Sequence, residues 1–123
     1  MSSKTCLIVD DSRVVRKVAR RILEDLSFTC DEAEDGKFAL DAVQKKMPDL
    51  VILDWNMPNM NGLEFLQSLR GLPNGGTPKV VMCTTENDMS HIMQAMQNGA
   101  NEYIMKPFDK EIVENKLSLI GLI

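Results

Sequence analysis

The chain has 123 residues, 44% of them hydrophobic and 26% charged, which makes it one globular domain with room for a core and none for a second domain. Its net charge of -4 argues against general nucleic-acid binding, which needs a basic footprint to displace counterions from phosphate. The apolar runs are too short for a membrane span or a secretory core segment, so a cytoplasmic protein is expected.

Taken in order, Thr5 to Val9 reads as a strand that ends in the acidic pair Asp10-Asp11. Ser12 is a natural N-cap for a first helix running to about Leu26, with Val15, Val18, Ala19, Ile22, Leu23 and Leu26 on its core face. Arg13, Arg16, Lys17, Arg20 and Arg21 form a basic stripe on the opposite face, with no interleaved acid. A second strand covers Phe28 to Ala33. After the turn Asp35-Gly36 a second helix is expected over about Lys37 to Lys46, closed before Pro48.

Leu50 to Leu53 is an unbroken apolar run ending at Asp54, the pattern of a strand buried on both faces with one carboxylate at its carboxyl end. Met57-Pro58-Asn59 and Asn61-Gly62 are turn chemistry. A third helix follows from Gly62 to about Arg70 with Leu63, Leu66 and Leu69 as its stripe, and Leu72 to Pro78 is the clearest loop. Lys79 to Cys83 is a fourth strand, followed by Thr84-Thr85-Glu86. A fourth helix begins near Asp88 and stops at Asn98-Gly99; its Met89, Ile92, Met93 and Met96 read as core packing, and His91 as an exposed residue. Glu102 to Met105 is the fifth strand. Lys106-Pro107 then leads to a fifth helix capped by Asp109, carrying Ile112, Val113, Leu117 and Ile120. The cysteines Cys6, Cys30 and Cys83 have no C-x-x-C spacing and read as small buried hydrophobes.

Strict alternation of strand and helix implies an α/β fold, a doubly wound five-stranded parallel sheet with helices on both faces. In such a sheet the ligand sits beyond the carboxyl ends of the strands. Those ends supply Asp10, Asp11, Asp54, Thr84 and Lys106: three carboxylates, a hydroxyl and an ammonium. Two like charges about 4 Å apart repel by about 4 kcal/mol at an effective dielectric of about 20, so the acids call for a cation. An all-oxygen donor set favours Mg²⁺ over zinc, and Lys106 suits a phosphate oxygen.

Five segments carry a family resemblance: I-V-D-D-S at 8–12, E-A-E-D-G at 32–36, L-D-W-N-M-P-N-M-N-G-L-E at 53–64, C-T-T-E at 83–86, and G-A-N-E-Y-I-M-K-P-F at 99–108. With these motifs the chain resembles, over its whole length, the CheY-like receiver domains of two-component response regulators. The resemblance implies a (βα)5 flavodoxin-like fold with strand order 2-1-3-4-5 and one receiver domain over residues 1–123, with no output domain after the fifth helix. It implies Asp54 as phosphoacceptor, and Asp10, Asp11, Asp54 and the main-chain carbonyl of Asn56 as the protein ligands of Mg²⁺. Thr84 matches the switch hydroxyl, Lys106 the phosphate-contacting lysine and Tyr103 the aromatic that reorients on activation. A cis Lys106-Pro107 bond is also implied.

The same resemblance implies a histidine kinase or histidine phosphotransfer protein as phosphodonor, docking through helix 1 at Arg13, Arg16, Lys17 and Arg20. It also implies a downstream protein target on the face of helix 4, strand 5 and helix 5, in chemotaxis-type or related signalling or as a phosphorelay intermediate. Such a protein is a phosphoacceptor rather than an enzyme on a separate substrate. The resemblance places Asn56 and Glu86 beside the path of the water that hydrolyses the acyl phosphate; Thr85 stands where the family usually has Ala or Gly, and its side chain either narrows access to the phosphate or adds a hydroxyl to the loop. Two other classes fit less well. An aspartyl-phosphate phosphatase needs an acid two residues after the nucleophile, where Asn56 stands, and a flavodoxin-like electron carrier would meet repulsion between a flavin phosphate and Asp10-Asp11.

Overall fold

The computed structural model describes residues 4–85 and 89–123. Strand and helix alternate as β1 (Thr5–Val9), α1 (Arg13–Asp25), β2 (Thr29–Ala33), α2 (Gly36–Lys45) and β3 (Leu50–Asp54), then α3 (Gly62–Arg70), β4 (Lys79–Thr84), α4 (Met89–Gln97), β5 (Glu102–Met105) and α5 (Lys110–Leu119). The strands form one parallel sheet in the order β2-β1-β3-β4-β5. This is the CheY-like doubly wound fold, and the chain reverses direction across the sheet between β1 and β3, where the crevice opens.

Alternate residues of each strand divide the core into two layers. Leu50 and Ile52 of β3 join Cys6, Ile8, Ala19, Leu23, Val113 and Leu117 on the side covered by α1 and α5. Val51 and Leu53 join Leu7, Val9, Val43, Phe65, Leu66 and Leu69 on the side covered by α2, α3 and α4. All five residues of β3 are buried, so the central strand is a rigid mount for the carboxylate at its end.

Local chemistry fixes the helix starts. The side chains of Ser12, Asp35, Asn61 and Asp109 accept hydrogen bonds from Val15, Phe38, Glu64 and Ile112 backbone N–H groups, each relieving an orphan donor of a first helical turn. At α3 the Glu64 side chain returns the bond to Asn61, closing a reciprocal box. Gly99, at φ +105°, ends α4 in the left-handed region that glycine tolerates.

Two expectations about helix faces are corrected. The α4 methionines are not core residues: Met89, Met93 and Met96 are 55%, 61% and 42% exposed, and Ile92 and Ala95 face the sheet instead. The small Ala95 lets the helix approach closely, which turns the longer thioethers outward. Likewise Val18 of α1 is exposed rather than core-facing, as is its neighbour Val14. Among the described residues no helix is long and apolar enough to cross a membrane.

Arg70, at the end of α3, ties the far side of the molecule together. Its guanidinium donates to the carbonyls of Gly99, Gly75 and Pro78 at 2.7, 2.8 and 2.9 Å and to Asn101 Oδ1 at 3.1 Å. The loop from Leu72 to Pro78 is thereby held against the start of β5.

Candidate phosphoacceptor site

Four strand ends meet at one edge of the sheet. Asp10 follows β1, Asp54 is the last residue of β3, Thr84 the last of β4, and Lys106 follows β5. Asp10, Asp54 and Thr84 are buried, whereas Asp11 is exposed at the rim. One oxygen from each of Asp10, Asp11 and Asp54 lies within 4.8 Å of the others. The Lys106 ammonium bridges two of these acids, donating to Asp10 Oδ2 at 2.7 Å and to Asp54 Oδ1 at 3.0 Å.

Backbone contacts hold these side chains in place. Asp10 N–H donates to Ala33 O, and its Oδ1 accepts from Ser12 N–H at 2.8 Å, so one carboxylate spans the turn from β1 into α1. Lys106 N–H donates to Thr84 O at 2.8 Å, extending the β4–β5 ladder by one residue, and the following Lys106-Pro107 bond is cis. Thr84 Oγ1 donates to Thr85 O at 3.2 Å. Beyond β3 the chain folds back at once, with Gly62 N–H donating to Trp55 O at 2.8 Å. Any Cβ at Gly62 would run into the Asp54 carbonyl oxygen, so only glycine permits this approach. The buried Asp35 steadies the same loop by accepting from Asn59 Nδ2 at 2.9 Å. Its Phe38 and Asn59 hydrogen bonds hold that carboxyl below the ordinary range, which marks it as a structural acid.

One cation among three acids leaves the cluster net negative. Lys106 is held charged despite its burial, because both carboxylates favour the ammonium. Burial, followed by the Asp10 charge, raises Asp54 even against its Lys106 bond. The two shifts agree physically: Lys106 is stabilised by two partners, while Asp54 is desolvated and faces a second acid. A hard divalent cation fits this all-oxygen donor set and would offset the remaining repulsion. Asn56 is exposed in the loop that leaves β3, and Thr85 is exposed beside Thr84; Glu86 lies outside the described residues.

Toward the β5 side, Tyr103 is half-buried against the α2–α4 core layer, with Lys116 Nζ of α5 4.4 Å from its ring centroid. Lys116 also pairs with Glu102 at 3.3 Å, so one lysine of α5 holds both the ring and the residue before it on β5. Sequence reasoning did not single out Lys116; its spacing on α5 is that of an ordinary surface lysine. His91 is corrected as well: it is half-buried, and its ring stacks on Trp55 at 4.0 Å with a 4° interplanar angle. Trp55 directly follows Asp54, so the stack joins the end of β3 to α4.

The basic stripe of α1 is not an unpaired cationic face. Glu32 of β2 accepts from Arg16 at 3.0 Å, Lys17 at 3.2 Å and Arg20 at 2.7 Å. Arg16 also donates to Asp10 O, and Arg20 to Cys30 O and Glu24. Glu24 of α1 itself, four residues after Arg20, supplies one partner, while the acid that pairs three of the cations comes from the neighbouring strand, which spacing along α1 alone does not reveal. What remains outward is an apolar groove of 440 Å³, formed by Val14, Val18 and Ile22 and rimmed by Arg13, Lys17 and Arg21. It continues along Val14 and Val18 to Pro107 and Phe108 beside Lys106.

The model of one family, described as the response regulator receiver domain, matches residues 6–118. Chemotaxis protein CheY-3 of Vibrio cholerae is 39% identical over 93% of this chain and 88% of its own length. Chemotaxis protein CheY of Pseudomonas aeruginosa is 36% identical over 93% of each chain. Among solved structures, chemotaxis response regulator CheY4 of Vibrio cholerae superposes with a TM-score of 0.90 at 31% identity, covering 97% of this chain and 99% of its own. A CheY-like receiver domain protein of Methanospirillum hungatei gives 0.87 at 27% identity, covering 97% and 94%.

Proposed function

The chain belongs to the response regulator receiver family, and from that premise we propose that it takes a phosphoryl group from a phosphohistidine onto Asp54 and signals by changing its protein contacts. The observation that carries this reading is the Lys106 ammonium shared by Asp10 and Asp54, which puts a fixed cation beside a desolvated carboxylate at a strand end. Asp54 attacks phosphorus, the P–N bond breaks, and its electron pair stays on the imidazole of the donor. Asp10, Asp11, Asp54 and the main-chain carbonyl of Asn56 would hold Mg²⁺, which when bound neutralises charge on the transferring phosphoryl oxygens. Lys106 then turns from Asp54 to the phosphoryl group as a point charge. The protein assists its own modification and is not an enzyme on a separate substrate.

The phosphoryl group adds about two negative charges. Hydrogen bonding to it draws the Thr84 hydroxyl inward, and the Tyr103 ring moves into the space left, changing the α4–β5–α5 face offered to a downstream protein. Asn56 and Thr85, exposed beside the acidic cluster, and Glu86, by the family resemblance alone, set the lifetime of the acyl phosphate. The relatives named for chemotaxis, at 36% and 39% identity, favour a chemotaxis-type pathway over a relay.

The phosphodonor docks on the groove of α1, where Val14 and Val18 receive an apolar helix ridge while Arg13 and Arg21 meet acids beside it and Lys17, like Arg16 and Arg20, is held by Glu32. Arg16 and Arg20, committed to Glu32, shape this face without forming its free charge. Two donors separate these roles. Asp54→Asn should abolish labelling by both a phosphorylated kinase and acetyl phosphate, and excess chelator should do the same to wild type. Val14→Asp should slow the kinase at least tenfold and leave acetyl phosphate nearly unchanged. Labelled Asp54→Asn would overturn the acceptor assignment, and equal slowing with both donors would remove the docking assignment.

A further inference from the structure

Two of the three cysteines face each other across neighbouring strands. Cys6 of β1 and Cys30 of β2 are register partners in the parallel ladder, so both side chains project to the same face of the sheet. Both lie in the core layer under α1 and α5, 2% and 3% exposed. Adjacent strands run about 4.7–4.9 Å apart, inside the Cα separation that a disulfide spans. β2 is the edge strand of the sheet, so Cys30 is the partner nearer to solvent. The phosphotransfer chemistry uses neither residue.

We propose that Cys6 and Cys30 form a reversible dithiol–disulfide pair, oxidised by a peroxide, with Cys30 as the attacking thiolate and Cys6 as the resolving thiol. The roles follow from position: Cys30 lies on an edge strand, on the side from which a peroxide would approach, and Cys6 lies beside it one strand further in. In keeping with this, burial first of all pushes the Cys6 thiol well up, while the neighbouring Cys6 holds the Cys30 thiol below its ordinary range against its own burial. Cys83, two strands further along the sheet, is raised to about 12 by burial and stays an inert thiol.

The steps balance without any other reactant. Cys30 sulfur attacks a peroxide oxygen, the O–O bond breaks, and the departing hydroxide takes the thiol proton to become water, leaving a sulfenic acid. Cys6 sulfur then attacks Cys30 sulfur; the S–S bond forms, the S–O bond breaks, and the hydroxyl leaves with the Cys6 proton as a second water. The cross-link closes a loop containing all of α1, and so pins the edge strand that carries Glu32 to β1.

The folded wild-type protein is exposed to hydrogen peroxide, denatured in the presence of iodoacetamide and mapped by peptide mass. The exposed Met89 and Met93 in the same sample report that the oxidant acted. The expected product is the Cys6 peptide joined to the Cys30 peptide, lighter by two hydrogens and reversed by dithiothreitol, with Cys83 fully alkylated. Cys6→Ala should accumulate a sulfenic acid at Cys30, captured by dimedone, and Cys30→Ala should leave Cys6 reduced at the same exposure. Three fully alkylated thiols in a sample with oxidised methionines would overturn the proposal. So would a cross-link to Cys83, or Cys6 oxidised as fast in Cys30→Ala as in wild type.

Discussion

Gly62 decides how closely the loop after β3 can return to Asp54. Its N–H is bonded to Trp55 O, and a methyl at this position would meet the Asp54 carbonyl oxygen, which is backbone and has little freedom to yield. Gly62→Ala should therefore cost about 1–3 kcal/mol in urea unfolding and lower the rate of labelling by acetyl phosphate even where the protein stays folded. An unchanged midpoint and unchanged labelling would show that the loop relaxes freely. At this scale, sequence reasoning found Asp10, Asp54, Thr84 and Lys106 because each stands where an apolar run stops, a pattern visible along the chain. It took Asp35 only as part of a turn, since its burial depends on Asn59, whose amide reaches it across the sheet edge. His91 was misplaced for a similar reason: its stacking partner, Trp55, directly follows β3, far away in the chain.

Between elements, α1 and β2 are clipped together by one acid and three cations. Glu32 has a 15% exposed side chain, and burial alone would raise its carboxyl; the bonds from Arg20, Lys17 and Arg16 outweigh that and hold it below the ordinary range. A carboxyl depressed in the folded state stabilises the fold above its unfolded pKa, and that contribution is lost as pH falls through the folded value. Glu32→Gln should thus lower stability by about 1–2 kcal/mol at neutral pH, a figure reduced for partial solvent screening. The gap between variant and wild type should close once the pH drops below the usual carboxylate range. A gap that persists in acid would point to packing rather than charge. The helix itself was legible from Ser12 and the apolar spacing, but not the partner of its basic face, which is set by the register of β2 beside β1. In α4 the apolar spacing fitted both faces, because none of its nine residues is Asp, Glu, Lys or Arg to mark the outer side.

For the molecule as a whole, the sheet order places the reacting groups along one edge and Arg70 along the opposite one. Arg70→Met should leave the carbonyls of Gly75, Pro78 and Gly99 without their donor and cost about 2–4 kcal/mol, measured by thermal or urea unfolding, with Mg²⁺ affinity little changed. A loss of Mg²⁺ affinity as large as the loss of stability would contradict this separation of the two edges. The architecture was readable because parallel strands buried on both faces leave unbroken apolar runs, whereas ties such as Arg70 depend on loop paths that no local pattern encodes. The stack of Trp55 and His91 has a practical consequence. Trp55 is the single tryptophan of the chain, so all indole emission comes from a residue that directly follows Asp54 in the chain and whose ring rests on His91 of α4. The protein thus holds an unlabelled optical gauge of helix position: any event at Asp54 that shifts α4 by an ångström or so will unstack the rings and change the emission. Acetyl phosphate with Mg²⁺ should alter the wild-type signal and leave that of Asp54→Asn still. A silent gauge during confirmed labelling would mean that α4 holds its place while the message leaves by another surface.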